Sequence, residues 1–543
     1  MKRHFKEIIR VSENNTKRIL KSINSDGRIM NVQDGMYYAG AQLGSLLTLA
    51  PAYYCKKSKY YKNVKVLQAM LILTKTMKNM QREDGTFDLP ISNFHSAPDV
   101  GFIMHNTYRT YKIMENRAET KQEIELKEKI YNIIKTSAKG LHDGGFHTPN
   151  HRWVEAAGLA MAYSVTKEKY LKDMALRYLE EGMDIDENGE WTERSPGIYN
   201  AVSDNAVMIL AEQLDKPELY NNVIKNMELM FHYLEPNGSV FTQNSVRVDK
   251  GEGMPEKAFY PTTYYHIYLK MAYLFNNGQY AKFADLIFES SLRNGRGIPN
   301  VLWLYMLVEE LQKFEIEFKD TPTKYEVFYK PSNIVRMRND NFGVTILGDS
   351  SNFMFVQNNN MRCYVKMCSS FFAVGQFKPK EITKTDKGYQ LVFNAHGRYL
   401  MPFKEKPETS DFLKMDHSKR EIVNQIDLDY IVNIKIIDNE VQLNIKTNGC
   451  EQVPIKIEFC LTGNCIVKGS NYIVKGTPGE SIISGNGSFK ASVGNNTLHI
   501  GPGFMDHYYT SEMRGSDPQS KKDFTVYFTG YTNINKTIYI KAI

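Results

Sequence analysis

The sequence lacks the marks of several common protein classes. It has no run of about 18 apolar residues, so no transmembrane helix is predicted. Nor does it contain a phosphate-binding loop, a dinucleotide-binding glycine pattern or the strained serine turn of many hydrolases. The net charge of +7 is spread along the chain and is too diffuse to indicate nucleic acid. We therefore predict no cofactor, no nucleic acid and no membrane partner, and the mild positive charge fits an anionic substrate.

Cysteine is scarce as well. The six cysteines form no C-x-x-C pair and have no histidines at zinc-finger spacing, so we expect free, mostly buried thiols, as in a reducing compartment. His142, His147 and His151 lie close in sequence, but a Gly-Gly pair and Pro149 keep them off a single helix, and no metal site is predicted. The first residues carry no apolar leader, which predicts a cytoplasmic protein; removal of a leader would instead make it secreted or periplasmic.

The hydrophobic pattern changes near residue 315. Before this point apolar residues recur with helical periodicity, most clearly over residues 64–80, 154–164, 201–213, 219–234, 262–275 and 301–314. After it, short alternating runs predict antiparallel strands at 344–347, 353–356, 389–393, 430–437, 441–445, 455–461, 488–492 and 523–528. We therefore predict a multidomain α+β protein, with a helical domain over 1–315, a linker over 316–333 and a β-sandwich over 334–543.

Short polar turns that contain a glycine recur through the helical half at intervals of 44 to 60 residues. The turns are Asp26-Gly27, Asp84-Gly85, Gly144-Gly145, Asn188-Gly189, Asn237-Gly238 and Asn294-Gly295. Each interval has room for two helices, and prolines that suit helix starts follow several of the turns. A repeated helical hairpin of this kind predicts an α/α toroid of inner and outer helices, although a linear solenoid would give the same repeat. In a toroid, the residues after each turn would meet in one cleft.

The segment most informative about function is Thr148–Glu155, which predicts the first turn of a helix. Thr148 suits the N-cap and Pro149 the first helical position. Asn150 and His151 follow, where free backbone N–H groups and the helix dipole favour negative charge. We interpret Asn150 and His151 as groups that recognise a carboxylate; the alternative is that they are capping or loop residues.

A second helix start is predicted about 45 residues later, where Ser195 can cap and Pro196 can open the helix. Tyr199 would then lie one turn into the helix, with Arg194 close in sequence. Tyrosine can transfer a proton when a nearby cation favours its ionised form, and arginine can bind a carboxylate as a fork. Alternatively, Tyr199 is a core aromatic and Arg194 pairs with a neighbouring glutamate.

Further residues are candidates for contact with a sugar substrate. Trp153 offers an aromatic plate. Glu155, four residues after His151, can fix the imidazole tautomer or form a simple i,i+4 pair. The remaining candidates lie beside His151, near other predicted helix starts or in the β half: Arg152, His95, His105, Tyr264 and His396.

These residue types suit the breakage of a uronic-acid glycan by β-elimination. A base removes the C5 proton, alpha to the carboxylate, and the O4 leaving group departs with a proton. Because charge builds up on the carboxyl group as the proton leaves, amide and imidazole donors at a helix start would stabilise the transition state. Tyrosine can supply the proton transfer, and no metal is required.

Three segments together resemble heparinase II/III-like polysaccharide lyases and the related alginate and glucuronan lyases. They are Asn93–Asp99, Gly145–Trp153 and Thr192–Asn200. The resemblance implies an α/α toroid followed by a β-sandwich, and it implies an enzyme, a carbon–oxygen lyase acting on polysaccharides. The Asn-His pair is closer to alginate-type lyases than to a glutamate-based heparinase site.

The resemblance also implies roles for individual residues. Asn150 and His151 would neutralise the substrate carboxylate, and Tyr199 would donate a proton and serve as base in a syn elimination. A second base, where one is used, would come from elsewhere in the cleft, and the sequence leaves three choices: His95, Tyr264 or His396.

Two other functions stay open from the sequence. An unsaturated-glucuronyl hydrolase on the same toroid would need two carboxylic acids beside the glycosidic bond, for which Asp99, Glu193 and Asp204 are available. A carbohydrate-binding protein without activity is the other. In every case the expected partner is an anionic uronate-containing polysaccharide or oligosaccharide. The sequence does not predict the sugar, the linkage or the oligomeric state, and it leaves a homo-oligomer open.

Overall fold

A computed structural model of the chain describes residues 2–251, 258–293, 297–510 and 513–543. The chain forms two compact units. The first consists of Met1–Phe231, Ser245–Asp249 and Phe259–Thr321, and the second of His232–Asn244, Lys250–Ala258 and Pro322–Ile543. The predicted boundary at residue 315 lies close to Thr321, but the sequence did not predict that His232–Asn244 and Lys250–Ala258 belong to the second unit.

The first unit is mainly helical. Its helices among the described residues are α1 (Lys2–Ser22), α2 (Ala39–Tyr54), α3 (Val64–Met80), α4 (Ala97–Glu115), α5 (Lys121–Asp143), α6 (Pro149–Thr166), α7 (Lys169–Glu180), α8 (Tyr199–Gln213), α9 (Tyr220–Tyr233, whose end belongs to the second unit), α10 (Tyr265–Leu274), α11 (Gly278–Arg293) and α12 (Leu302–Leu307). A small hairpin of β1 (Phe87–Leu89) and β2 (Asn93–Ser96) precedes α4. All six predicted helical segments are confirmed, with the last two shortened by 3₁₀ turns at Pro261–Tyr264 and Glu309–Gln312.

The even-numbered helices form an inner ring. Helix α2 contacts α4, α4 contacts α6, α6 contacts α8 and α8 contacts α10, while α12 returns to α2 and α4. Of the odd-numbered helices, α5 contacts both α3 and α7, and each of the three contacts an inner helix beside it. The inner helix α6 is buried continuously from Trp153 to Ala162, as expected of a helix covered on every side, whereas α7 buries only Leu171 and Ala175. The predicted α/α toroid is confirmed.

The glycine turns pack closely against neighbouring helices. Gly85 has φ +86°, and a Cβ there would lie 2.2 Å from the carbonyl oxygen of Thr136 in α5. Gly189 has φ +92°, and a Cβ there would lie 2.3 Å from the carbonyl oxygen of Lys225 in α9. Glycine is therefore required both by the left-handed backbone and by the close approach of the turn. The predicted turn at Asn294-Gly295 lies outside the described residues.

The second unit is mainly β-structure. Its strands among the described residues are β3 (Lys324–Tyr329), β4 (Ile334–Asn339), β5 (Phe342–Leu347), β6 (Met354–Asn358), β7 (Met361–Ser369), β8 (Ile382–Thr385), β9 (Gly388–Leu400), β10 (Ile422–Ile437), β11 (Glu440–Gly449), β12 (Pro454–Leu461), β13 (Ile466–Lys468), β14 (Ile473–Lys475), β15 (Ser481–Ile483), β16 (Phe489–Val493), β17 (Asn496–Gly501), β18 (Phe524–Tyr531) and β19 (Asn535–Ala542). One sheet has the order β14-β13-β16-β17-β19-β11-β10-β9-β8 and the other β15-β18-β12-β7-β6-β5-β4-β3.

The two sheets share one hydrophobic core, in which Tyr430 and Leu443 of the first sheet join Val356 and Phe459 of the second. The predicted β-sandwich is confirmed, and its pairing is antiparallel except between β15 and β18. The predicted linker over 316–333 is wrong in one respect, because it contains β3, which pairs with β4 along its whole length.

All six cysteines are free. Among the described helices, none is both long and apolar enough to span a membrane.

Candidate functional site

The start of α6 brings Asn150 against Glu193. The Asn150 side chain is fully buried, and its Nδ2 donates to both carboxylate oxygens of Glu193, at 2.9 and 3.0 Å. Its Oδ1 is buried and has no hydrogen-bond partner among the described residues. Burial raises the pKa of Glu193, and the hydrogen bond from Asn150 opposes that rise. The amide that the sequence assigned to a substrate carboxylate therefore binds a carboxylate of the protein itself.

Thr148 occupies the N-cap position, as predicted, but its side chain makes no capping hydrogen bond. Its Oγ1 instead lies 3.3 Å from the Nδ2 of Asn150. The second predicted helix start is also shifted, since α8 begins at Tyr199 rather than at Pro196. Ser195 still supports the start of the helix, because its hydroxyl accepts a hydrogen bond from the backbone N–H of Tyr199 at 3.2 Å.

A cation that the sequence did not predict lies beside Tyr199. The Arg247 guanidinium carbon is 4.7 Å from the centroid of the Tyr199 ring, and the Arg247 Nε is 3.4 Å from a carboxylate oxygen of Glu193. Two hydrogen bonds hold this segment in place, from the Val246 N–H to the Glu193 carbonyl at 3.2 Å and from the Gly197 N–H to an Asp249 carboxylate oxygen at 3.0 Å. Asn150, Glu193, Arg247 and Tyr199 thus form a continuous chain of contacts, which we call the Asn150–Tyr199 cluster.

His151 lies next to this cluster on α6. Its ring makes edge contacts with Phe102, at 6.0 Å between centroids, and with His147 at 4.7 Å. Burial, followed by repulsion from His147, lowers the pKa of His151 to about 4. The imidazole is therefore neutral at physiological pH and can act as a hydrogen-bond donor or acceptor.

A cleft of about 440 Å³ opens in the first unit between the inner helices. Phe102, which contacts His151, lines it from α4. Ala201 and Val202, two and three residues after Tyr199, line it from the first turn of α8. Other lining residues come from α2, α4, α8, the 3₁₀ turn before α10, α10 and α12: Leu47, His105, Arg109, Asn205, Thr262, His266 and Trp303 among them. Residues far apart in sequence therefore meet in one cleft. Of the predicted site residues His105 lines it, whereas Asn150, His151 and Tyr199 are not among its lining residues.

For three residues the prediction of substrate contact is wrong, because their side chains are not accessible. Trp153, Glu155 and Tyr264 are each fully buried. The Trp153 indole N–H donates to Asp184 at 2.5 Å, and Glu155 accepts from the Tyr178 hydroxyl at 3.0 Å rather than orienting His151. Burial raises the pKa of Glu155 to about 7 and that of Tyr264 well above its ordinary value.

Arg152 is also occupied within the protein. Its guanidinium lies over the Trp153 ring at 4.2 Å and forms ion pairs with Glu181 at 3.1 Å and Asp184 at 3.0 Å. Its side chain is only 12% exposed. These contacts fix the outer side of α6 and leave a substrate little to bind.

The remaining predicted residues have different surroundings. His105 lines the cleft, whereas His95 is an exposed residue of the β1–β2 hairpin whose Nδ1 is 2.5 Å from Asp84. Arg194 is partly exposed, in a left-handed conformation with φ +46°. His396 belongs to β9 of the second unit, where its Nδ1 is 2.7 Å from Asp427. Among the described residues, no group of three or more His, Cys, Asp or Glu side chains is arranged to hold a metal.

No family model and no curated protein matches the sequence. Among solved structures, a xanthan lyase from Paenibacillus matches with a TM-score of 0.61 and 10% identity, over 99% of this chain and 57% of that one. Heparinase III matches with a TM-score of 0.54 and 10% identity, over 98% of this chain and 84% of that one. Chondroitin AC lyase from Streptomyces coelicolor A3 matches with a TM-score of 0.53 and 10% identity, over 99% and 79%.

The fold is thus that of several polysaccharide lyases, which confirms the resemblance in architecture. The chain spans little more than half the length of the xanthan lyase it matches. At these identities the matches show the fold alone.

Proposed function

We propose that the protein is a glycan lyase that cleaves a uronate-containing polysaccharide or oligosaccharide by β-elimination. The observation that carries the proposal is the Asn150–Tyr199 cluster, in which the Arg247 guanidinium lies over the Tyr199 ring. Tyr199 is two residues before Ala201, which lines a cleft of glycan size. The lyase fold of the matched structures supports the same reaction class.

In the proposed mechanism, Tyr199 carries the proton. Its phenolate oxygen takes the C5 proton of the uronate, the C5–H electrons form the C4–C5 double bond, and the bond from C4 to O4 breaks. Tyr199 then returns the same proton to O4, so that the reaction consumes no water and needs no net proton. One residue on one face of the ring suffices for this syn elimination.

The substrate carboxylate needs partners as charge develops on it. His151 and Arg247 are partly exposed, and we assign them to that carboxylate: Arg247 as a charged donor and His151 as a neutral one. Asn150 and Glu193 are buried, so we assign them a positioning role, in which the amide holds Glu193 and Glu193 holds Arg247 against Tyr199.

The hydrolase alternative needs two carboxyl groups that face the sugar. Asp204 is fully buried and Glu193 nearly so, and a carboxylate oxygen of Asp99 accepts from the Ser96 hydroxyl at 2.5 Å and from the Asn93 amide at 3.2 Å. This arrangement favours the lyase over the hydrolase.

The proposal is tested by incubating the protein with a panel of alginate, glucuronan, chondroitin and xanthan and their oligosaccharides. A lyase generates ultraviolet absorbance from the new C4–C5 double bond, and its products sum in mass to the substrate without added water. Products that carry an added water and no new absorbance would identify a hydrolase. Tight binding of a glycan without any product would instead identify a carbohydrate-binding protein.

A further inference from the structure

Among the described residues that line the cleft there is one cationic side chain and no carboxylate. The cation is Arg109 of α4, whose guanidinium carbon lies 3.9 Å from the centroid of the Trp303 ring. The nearest acidic influence on it comes from Glu212, but that carboxylate is ion-paired with Lys270. Arg109 is partly buried, and none of the described residues that line the cleft offers it a carboxylate. A partly buried cation in such surroundings favours an anionic ligand.

Asn205 of α8 fixes the direction of this guanidinium. The Asn205 Oδ1 accepts from the Arg109 Nη2 at 2.8 Å and from the His266 Nε2 at 2.9 Å, and its Nδ2 donates to the His105 Nδ1 at 3.2 Å. Because arginine can only donate, these contacts define the amide orientation and both histidine tautomers. Trp303 covers one face of the guanidinium and Asn205 takes one N–H, which leaves the other donors of Arg109 for a ligand.

Among the described residues that line the cleft, Arg109 is the one that carries charge at neutral pH. Burial, with a further contribution from the Arg109 charge, lowers the pKa of both His105 and His266 to about 3. Burial also lowers the pKa of Arg109, but only to about 10. At neutral pH the two histidines are therefore uncharged and the arginine is protonated.

We propose that Arg109, held between Trp303 and Asn205, is a subsite for an anionic substituent, a carboxylate or a sulfate ester, on a sugar ring adjacent to the ring that reacts. Asn205 lies six residues beyond Tyr199 on α8, which is roughly 9 Å along the helix axis. This separation places the second anion away from the carboxylate beside Tyr199. The inference rests on the proposed function only in taking a glycan as the ligand, and it restricts the substrate class to glycans charged on more than one ring.

The test measures equilibrium binding in the full-length Tyr199→Phe protein, so that no ligand is consumed. The probes are a glucuronan tetrasaccharide, which carries a carboxylate on every ring, a chondroitin 4-sulfate tetrasaccharide, and a carboxyl-reduced glucuronan tetrasaccharide as the neutral reference. Each is titrated by calorimetry into the parent and into Arg109→Gln, Arg109→Lys and Arg177→Gln versions. Arg177 is an exposed residue of the outer helix α7 and controls for the loss of one positive charge.

We expect Arg109→Gln to raise the Kd of at least one anionic probe by about ten- to a hundredfold, the usual loss for a charge-assisted hydrogen bond. Arg109→Lys should recover part of the affinity, Arg177→Gln should bind like the parent, and the neutral probe should bind more weakly than its charged counterpart. The anionic probe with the larger Arg109 dependence identifies the group, carboxylate or sulfate.

An Arg109→Gln protein that folds normally and binds both anionic probes like the parent would overturn the inference. So would a neutral probe that binds the parent as tightly as the charged one, or an absence of binding by both anionic probes. If Arg109→Gln does not fold, the Kd values of the charged and neutral probes are compared in the parent and in Arg109→Lys instead. Equal Kd values for the anionic probes in the two proteins, or for the charged and neutral probes in the parent, would then overturn the inference. Lyase activity without Arg109 dependence would contradict the subsite alone, whereas Arg109-dependent binding by a wild-type protein that produces no unsaturated product would contradict the proposed function alone.

Discussion

Asn150 and Glu193 form a buried amide–carboxylate pair, in which one amide nitrogen lies within 3.0 Å of both carboxylate oxygens. The pair joins the first turn of α6 to the turn that precedes α8, and through Arg247 it reaches the Tyr199 ring. Two segments that each resemble part of a lyase site are thus connected by direct contact. In the proposed mechanism this pair positions Arg247 and does not contact the substrate itself.

The first prediction concerns the coupling of Asn150 and Glu193. Asn150→Ala and Glu193→Gln should each lower kcat by about 10- to 100-fold, because each breaks the same charge-assisted contact. The double variant should lose little more than either single variant. Turnover of all three proteins, with their Tm values as a check on folding, measures this. Losses that multiply in the double variant would show that the two residues act independently.

The second prediction separates two arginines. Arg247→Ala should lower kcat by about 10- to 100-fold, because Arg247 alone of the two contacts Glu193 and Tyr199. Arg194→Ala should cause a clearly smaller loss, since Arg194 is predicted to act only by its closeness in sequence. Steady-state kinetics on the best substrate of the panel compare the two. A larger loss in Arg194→Ala would return the role to the residue that the sequence suggested.

The third prediction concerns pH and Glu155. The pKa of this buried carboxyl is raised to about 7, whereas an unfolded glutamic acid titrates near 4.5, so the folded protein retains a proton that the unfolded chain releases. Stability is therefore lost as pH rises from 4.5 through 7. Glu155→Gln should stabilise the protein by about 2–3 kcal/mol at pH 8, and the gain should vanish near pH 4.

Denaturant unfolding at the two pH values measures this difference. Glu128→Gln on the exposed side of α5 serves as the matched control and should show no such pH dependence. A Glu155→Gln protein that is destabilised equally at both pH values would contradict the assignment of a protonated, buried Glu155.

Much of the architecture could be predicted from the sequence, because it follows from local patterns. Helix α3 has the predicted bounds Val64–Met80, and Asn63 caps it through its side chain. The toroid follows from glycine turns whose backbone conformation and tight packing leave no alternative residue, as at Gly85 and Gly189. Strand β3 was not predicted, because this short edge strand lies between Pro322 and Pro331. Two prolines at this spacing are also typical of a linker.

The site was harder to predict, because its contacts join distant segments. Arg247 lies in an irregular stretch, and only its hydrogen-bonded neighbours bring it to Tyr199. Arg109 and Trp303 come from α4 and α12, and their contact depends on the closure of the ring. Of the three tryptophans, Trp303 alone lies far in sequence from the two predicted helix starts, and that isolation was the available signal. The burial of Trp153, Glu155 and Tyr264 depends on packing around inner helices and has no local signature.

The central claim is that Tyr199 transfers the proton in a β-elimination. Tyr199→Phe retains the ring beneath Arg247 and removes only the hydroxyl, so folding and glycan binding should change little. Tyr131→Phe, at a partly exposed tyrosine of the outer helix α5, is the matched control and should react like the wild type. The most direct test is the rate at which each protein generates the ultraviolet-absorbing unsaturated product. We predict a loss of about 10²–10⁴-fold in Tyr199→Phe alone. Production by Tyr199→Phe at close to the wild-type rate would contradict proton transfer by Tyr199.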